Sequence, residues 1–386
     1  MENQEEIRNF TVDVTQVTGI IDYGKLVRDF GTTPINQELI NRFEKVTGHP
    51  VHPWVRRGIF FCHRDLDKFL DAYEKSEQIF IYTGRGPTSD SLHFGHLIPF
   101  IFTKWLQDVF NCVVIIQIAD DEKYYWKDLT YEQIAKYTIN NVQDILAVGF
   151  NPEKTFVFSN IKRRQINWDY ELFVTQMKKM SSIKTLKQIF GFIDELNVGC
   201  YDWVFYQTAA SFSQAFPEFF TQPAHCLIAY AIDQDPYFRF ARDIASKMKL
   251  LKPCSIISKF MPPLTGVSGK MSSSVGVDTS LFLSDSDETI TKKIKAHAFS
   301  GGGGNGTLKE HKLYGGNPDI DISYQYLTYF EPDDEKLEEI KTAFKSGIMG
   351  CGEIKKLMTL TLLETKNTIC NSKPSLDTLS KYNLAL

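Results

Sequence analysis

Residues 270 to 274 read KMSSS, one cation followed by three hydroxyl side chains, with glycines at 266, 269 and 276 around them. An ammonium group and a row of hydroxyl donors suit the oxygens of a transferring phosphoryl group, which asks a protein mainly for position and charge. Gly and Ser also gather in solvated turns because they tolerate turn geometry, so the segment read alone fits a surface loop as well. A second cluster lies upstream. Gly84, Arg85, Gly86, Pro87 and Thr88 form a turn after the strand-like QIFIYTG, and His93, Phe94, Gly95 and His96 open the helix that follows. A helix N-terminus carries unpaired N–H groups and partial positive charge, which favours an anion there. Two glycines let backbone come close to a nucleotide, and Gly95 between two imidazoles on one helical face leaves room for a flat base or a phosphate. Paired histidines also suit a metal or plain buried hydrogen bonding, but no carboxylate or thiol stands at ligand spacing beside them. Together the clusters predict a two-ended clamp on ATP.

The elements between them must bring the two ends together. From residue 78, short apolar runs (QIFIYTG, NCVVIIQIAD, TFVFSN, CLIAYAID) alternate with helical stretches. Thr130 and Gln133 predict a capping box for the helix that follows, and Pro236 marks the first turn of DPYFRFARDIASKMK. This rhythm predicts right-handed βαβ units, hence an α/β fold with a Rossmann-like doubly wound parallel sheet. Residues 76–285 form the expected catalytic domain, with a helical insertion around 160–215. Residues 1–75 read as an N-terminal extension, a weak strand or hairpin at 11–21 and then helices, one closed by Gly48. Beyond 286 only helical segments are expected, an all-helical C-terminal domain over 286–386.

Composition removes several classes. A hydrophobic fraction of 43% and charged fraction of 23% belong to a folded globular chain, and the net charge of −4 offers no global field for nucleic acid, so an RNA partner would meet a local basic patch. Seven cysteines without a CxxC pair indicate free thiols rather than a zinc or redox site, as in a reducing cytosol. The polar MENQEEIRNF is unlike a leader, and no apolar run reaches membrane-spanning length. The expected location is cytoplasmic, without a membrane partner.

HFGH and KMSSS, in this order and with βα alternation between them, resemble the HIGH and KMSKS signatures of class I aminoacyl-tRNA synthetases. YTGRGPTSDSLHFGHLIPF, DDEKYYWKDLT, IFGF and AIDQDPYFRFARD extend the likeness over nearly the whole chain, to tryptophanyl-tRNA synthetases of the eukaryotic and archaeal type. A serine stands where many class I members carry the second lysine of KMSKS. The resemblance implies activation of L-tryptophan by ATP with Mg2+ carried on the phosphates, transfer to tRNA(Trp), and a homodimer. It assigns ATP to Gly84, Arg85, Gly86, Pro87, Thr88, His93, Gly95, His96, Lys270, Met271, Ser272, Ser273 and Ser274, with His93, His96, Lys270, Ser272 and Ser273 as the catalytic set. It assigns tryptophan to Tyr82, Gln117, Glu122, Gln207 and Gln234. Tyr82 and Gln117 would face the indole N–H, and Glu122 the ammonium. In the helical tail Lys292, Lys293, Lys295 and Lys312 would touch tRNA phosphates, and Asp319 and Asp321 base edges. A tyrosyl-specific sibling, a small-metabolite nucleotidyltransferase and a silent RNA- or protein-binding paralogue are the alternatives.

Overall fold

The computed structural model describes residues 10–13, 17–271, 277–304 and 307–386. Among the described residues there are ten strands: β1 Thr11–Val12, β2 Val17–Thr18, β3 Thr33–Pro34, β4 Phe60–Arg64, β5 Ile79–Arg85, β6 Val113–Ile118, β7 Thr155–Ser159, β8 His225–Ala231, β9 Cys254–Ser258 and β10 Asn383–Ala385. β1 and β2 pair antiparallel, the hairpin that the weak alternation at 11–21 suggested. The other eight make one sheet in the order β10-β7-β6-β5-β8-β9-β4-β3. Its six strands from β10 to β9 run parallel, and β4 and β3 add antiparallel at one edge.

The β-branched run VVIIQI forms β6 because both sheet faces are covered. Val114, Ile116 and Ile118 enter one apolar cluster with the helix Phe94–Phe110, while Ile115 enters the other, with the helices Trp168–Lys179 and Val198–Ala209. This alternation is the two-residue period of a strand set between two helical layers. The chain first steps outward from β5 to β6 and β7, then crosses back to lay β8 on the other side of β5. The strand order therefore reverses between β5 and β8, and a doubly wound sheet opens its ligand crevice outside the carboxyl ends at that point.

Two parts of the fold differ from expectation. The N-terminal segment was read as a hairpin and helices, yet its Phe60–Arg64 run pairs with β9, so the extension contributes two strands to the main sheet. The C-terminal region is helical as expected, with helices Asp287–His297, Leu308–Tyr314, Ile322–Phe330, Asp334–Lys345 and Cys351–Asn371. Its last residues nevertheless return as β10 beside β7. Ile290, Tyr326 and Met358 of those helices share one continuous apolar cluster with Ile116 and Leu227 of the sheet. The helical tail also grips the N-terminal segment: the Trp54 indole N–H donates to the Tyr329 carbonyl at 2.6 Å, and Arg57 donates to the Thr328 and Glu331 carbonyls at 2.8 and 2.7 Å. Among the described residues no helix is long and apolar enough to cross a membrane.

Candidate active site

The two clusters meet. A Cβ built on Gly95 would stand 3.6 Å from the Cβ of Met271, and Phe94 N donates to the Leu281 carbonyl at 3.1 Å, so the chain on both sides of residues 272–276 packs against the start of the Phe94–Phe110 helix. Met271 is buried and anchored by its N–H to the Met261 carbonyl at 2.9 Å. Lys270 forms an ion pair with Asp233, which lies in the short turn Ile232–Gln234 directly after β8. Ser272, Ser273 and Ser274 lie outside the described residues.

His93 and His96 act first on the helix itself. His93 is its N-cap, and His93 Nδ1 accepts the His96 N–H at 3.2 Å while His96 Nδ1 accepts the His93 N–H at 3.4 Å. The rings stack with centroids 3.3 Å apart. Burial, with Arg85 nearby, pushes His93 down to about 3 and His96 well below the usual imidazole range. Both rings are therefore neutral at pH 7, and because each Nδ1 accepts a backbone proton, each ring keeps its own proton on Nε2. The sequence suggested rings aimed at a ligand; the structure makes them caps whose remaining donor is Nε2–H.

The Gly84–Thr88 turn is braced from within. Arg85 donates through Nη2 to Thr88 Oγ1 at 3.1 Å and through Nε to Asn141 Oδ1 at 3.3 Å, and burial lowers its guanidinium to about 10. A Cβ on Gly86 would fall 2.3 Å from Lys123 Cε and 2.4 Å from Glu122 Oε2, so the bare backbone seats the Glu122–Lys123 ion pair over the turn. Glu122 is thus paired with its neighbour in this structure, and the family resemblance has it facing the ammonium of tryptophan.

The other predicted residues converge at the ends of β5, β6 and β8. The Tyr82 hydroxyl donates to Gln117 Oε1 and lies 3.3 Å from the Gln207 carbonyl oxygen. Gln207 Nε2 reaches Gln234 Oε1 at 3.5 Å. Burial raises the Tyr82 hydroxyl well above its ordinary value, so it stays protonated. Its proton is spent on Gln117, which leaves the oxygen lone pairs as an acceptor.

Sequence reasoning overlooked Asp233, Asn160 and Asp121. Asn160 follows the last residue of β7 and Asp121 stands three residues past the end of β6, so the rule that ligands gather at carboxyl ends of strands, applied to every strand, would have reached all three. In the tail, Asp321 accepts from Gly301 N and Tyr324 N, at 2.9 and 3.0 Å, as a fully buried helix cap. Lys293 pairs with Asp285 and donates to the Ser280 carbonyl, both at 2.9 Å. These two hold the fold and are withdrawn from the set expected to touch tRNA. Lys292, Lys295, Lys312 and Asp319 are exposed.

A family model described as tRNA synthetases class I (W and Y) matches residues 74–365. The chain is 47% identical over 351 residues to tryptophan–tRNA ligase, cytoplasmic, of Homo sapiens, covering 90% of this chain and 74% of that protein. The Saccharomyces cerevisiae protein of the same name is 43% identical over 367 residues, 94% of this chain and 84% of that one. Among solved structures, the tryptophanyl-tRNA synthetase of Plasmodium falciparum superposes with a TM-score of 0.88 at 43% identity, over 94% of this chain and 97% of that one. That of Encephalitozoon cuniculi, bound to tryptophan, gives 0.85 at 36% identity over the same shares, 94% and 97%.

Proposed function

The chain belongs to the class I tRNA synthetases of the tryptophan and tyrosine branch, and from that premise we propose that it is a tryptophan–tRNA ligase acting in the cytoplasm. The observation that supports the reading is that both groups of residues stand along one edge of the sheet. A buried hydroxyl acceptor, Tyr82, stands with Gln117, Gln207 and Gln234 at the strand ends, and the histidine-capped helix and Lys270 stand beside it.

The tryptophan carboxylate attacks the α-phosphorus of ATP, the bond to the bridging oxygen breaks, and pyrophosphate leaves with that electron pair. ATP enters as its magnesium complex, the ion riding on phosphate oxygens and water. The Nε2–H donors of His93 and His96 face this charge, and Lys270 exchanges Asp233 for a phosphate oxygen. In the second step the 2′-hydroxyl of the terminal adenosine of tRNA attacks the acyl carbon and AMP leaves. The Tyr82 oxygen accepts the indole N–H. Phenylalanine would leave that buried acceptor unpaired, a loss of about 1–3 kcal/mol, and the rejection of unpaired analogues can be far larger where several groups cooperate.

Exposed Lys295 and Lys312 support contact of the helical tail with tRNA phosphates. Ile166, Trp168 and Leu172, exposed by 57, 74 and 42% on two consecutive helices, support a homodimer, since such neighbouring apolar side chains seek a partner. Sedimentation that finds Trp168→Glu monomeric beside a dimeric wild type is the expected outcome; a monomeric wild type removes the dimer.

Pyrophosphate exchange screened over the twenty amino acids tests the function. Exchange with tryptophan alone is expected. Exchange with tyrosine alone would move the chain to the tyrosyl-specific branch, and none with any amino acid would make it a silent paralogue.

A further inference from the structure

Behind the pocket a line of hydrogen bonds runs through groups that open solvent barely reaches. Tyr82 donates to Gln117 Oε1, Gln117 Nε2 donates to Asn160 Oδ1 at 2.7 Å, and Asn160 Nδ2 donates to Asp121 Oδ1 at 2.8 Å. Exposure along this line is 2% for Tyr82, 1% for Gln117, 0% for Asn160 and 1% for Asp121. Such groups are costly to leave unpaired, so the line has to be satisfied at every joint.

The line also has a direction. The two ends of an amide are alike in shape, so neighbours decide which end points where. Gln117 Nε2 also donates to the Tyr206 carbonyl at 3.0 Å, so both its protons are spent away from Tyr82 and its oxygen must face the hydroxyl. Asn160 can offer its oxygen to Gln117 only while its own nitrogen has an acceptor behind it. Asp121 supplies that acceptor, and its Oδ1 is held by the Glu122 N–H at 2.8 Å, with Arg164 Nη1 3.6 Å from Oδ2. The polarity imposed at Asp121 therefore reaches Tyr82, which has to donate inward and present lone pairs outward.

We propose that Asn160 and Asp121 are specificity-determining positioning residues: by orienting Gln117 they make the Tyr82 hydroxyl an acceptor, and so make the enzyme demand an N–H on its aromatic substrate. The proposal rests on the tryptophan–tRNA ligase reading. Replacing Asn160 by leucine removes one of the two acceptors that orient the Gln117 amide. Asn160→Asp keeps an oxygen toward Gln117, and one proton shared with Asp121 restores the donor behind it.

The experiment measures pyrophosphate exchange with tryptophan and with its benzothiophene analogue, in which sulfur replaces the indole N–H. In Asn160→Leu the preference for tryptophan, as a ratio of kcat/KM values, is expected to fall about tenfold or more, mainly through the KM for tryptophan, while Asn160→Asp stays within about threefold of wild type. Asn160→Ala, which adds no bulk, is read in the same way if the leucine variant does not fold. An unchanged preference, or equal losses for both substrates, overturns the proposal and leaves the ligase reading intact. A wild-type enzyme that exchanges no tryptophan overturns the ligase reading, and the proposal with it.

Discussion

The phosphate end and the side-chain end of the cleft are built on opposite terms. At the phosphate end the charged groups are neutralised by one another: Lys270 pairs with Asp233, and Glu122 with Lys123 over Gly86. A ligand there must displace protein partners, and binding is an exchange of ion pairs. At the side-chain end neutral groups, Tyr82, Gln117 and Asn160, are joined by hydrogen bonds that run on to the buried carboxyl of Asp121. A ligand there meets lone pairs already aimed and displaces nothing. Exchangeable charge suits a triphosphate that must later leave as pyrophosphate, whereas fixed dipoles suit recognition, because preorganised groups lose little on binding.

The largest effect expected from this contrast is at Lys270. Lys270→Ala should lower the rate of tryptophan-dependent pyrophosphate exchange by a hundredfold or more, about 3 kcal/mol of transition-state stabilisation. The KM for tryptophan should hardly move, and an equal rise in that KM would break the division between the two ends. Tyr82→Phe is the mirror case. It removes the acceptor and orphans Gln117 Oε1, so kcat/KM for tryptophan should fall by about 10–100-fold, 1–3 kcal/mol, with the KM for ATP nearly constant.

Stability against pH sharpens the same comparison, since the two ends pull in opposite directions. His93 has its folded value pushed down to about 3. The unfolded chain then binds more protons between about pH 6.5 and 3, so the contribution of His93 is complete above that window and is lost as pH falls through it. Asp121 has its carboxyl raised to about 7, by burial first and by Asp120 second. There the folded chain binds more protons between pH 3.8 and about 7, so stability falls as pH rises through that window. Denaturant unfolding should show His93→Asn, which still caps the helix, flattening the acid-side loss. Asp121→Asn should flatten the decline towards neutrality, and slopes that shift in the same sense would refute the assignment. The smallest effect is a control outside both ends. Thr130→Ala, which removes one half of the capping box with Gln133, should cost about 1 kcal/mol in denaturant unfolding and leave exchange unchanged.

Much of this is legible in the sequence. The βα rhythm, the cap at Thr130, the helix start at His93 and the end of the helix at Gly48, whose positive φ of 72° suits glycine, are local features, and they formed where local chemistry placed them. β4 and β10 were missed for one shared reason. Phe60–Arg64 becomes a strand only because β9 lies beside it, and Asn383–Ala385 only because β7 does. Neither segment carries enough alternation of its own to declare itself. Asp233, Asn160 and Asp121 escaped notice because a single carboxylate or amide after a strand has no distinguishing pattern.

The family resemblance, rather than residue order, implied the set of side chains gathered at the strand ends; residue order alone settled the doubly wound architecture and the helix start at His93. These follow from periodicity, capping and chain connectivity, which act over a few residues at a time. Folding in three dimensions decided the rest: that the histidines are neutral caps, that Lys270 rests on Asp233, and that Tyr82 donates its proton inward to Gln117. Those are properties of burial and of partners distant in the chain, and the direction of a hydrogen bond is not written in any residue until its neighbours on every side are in place.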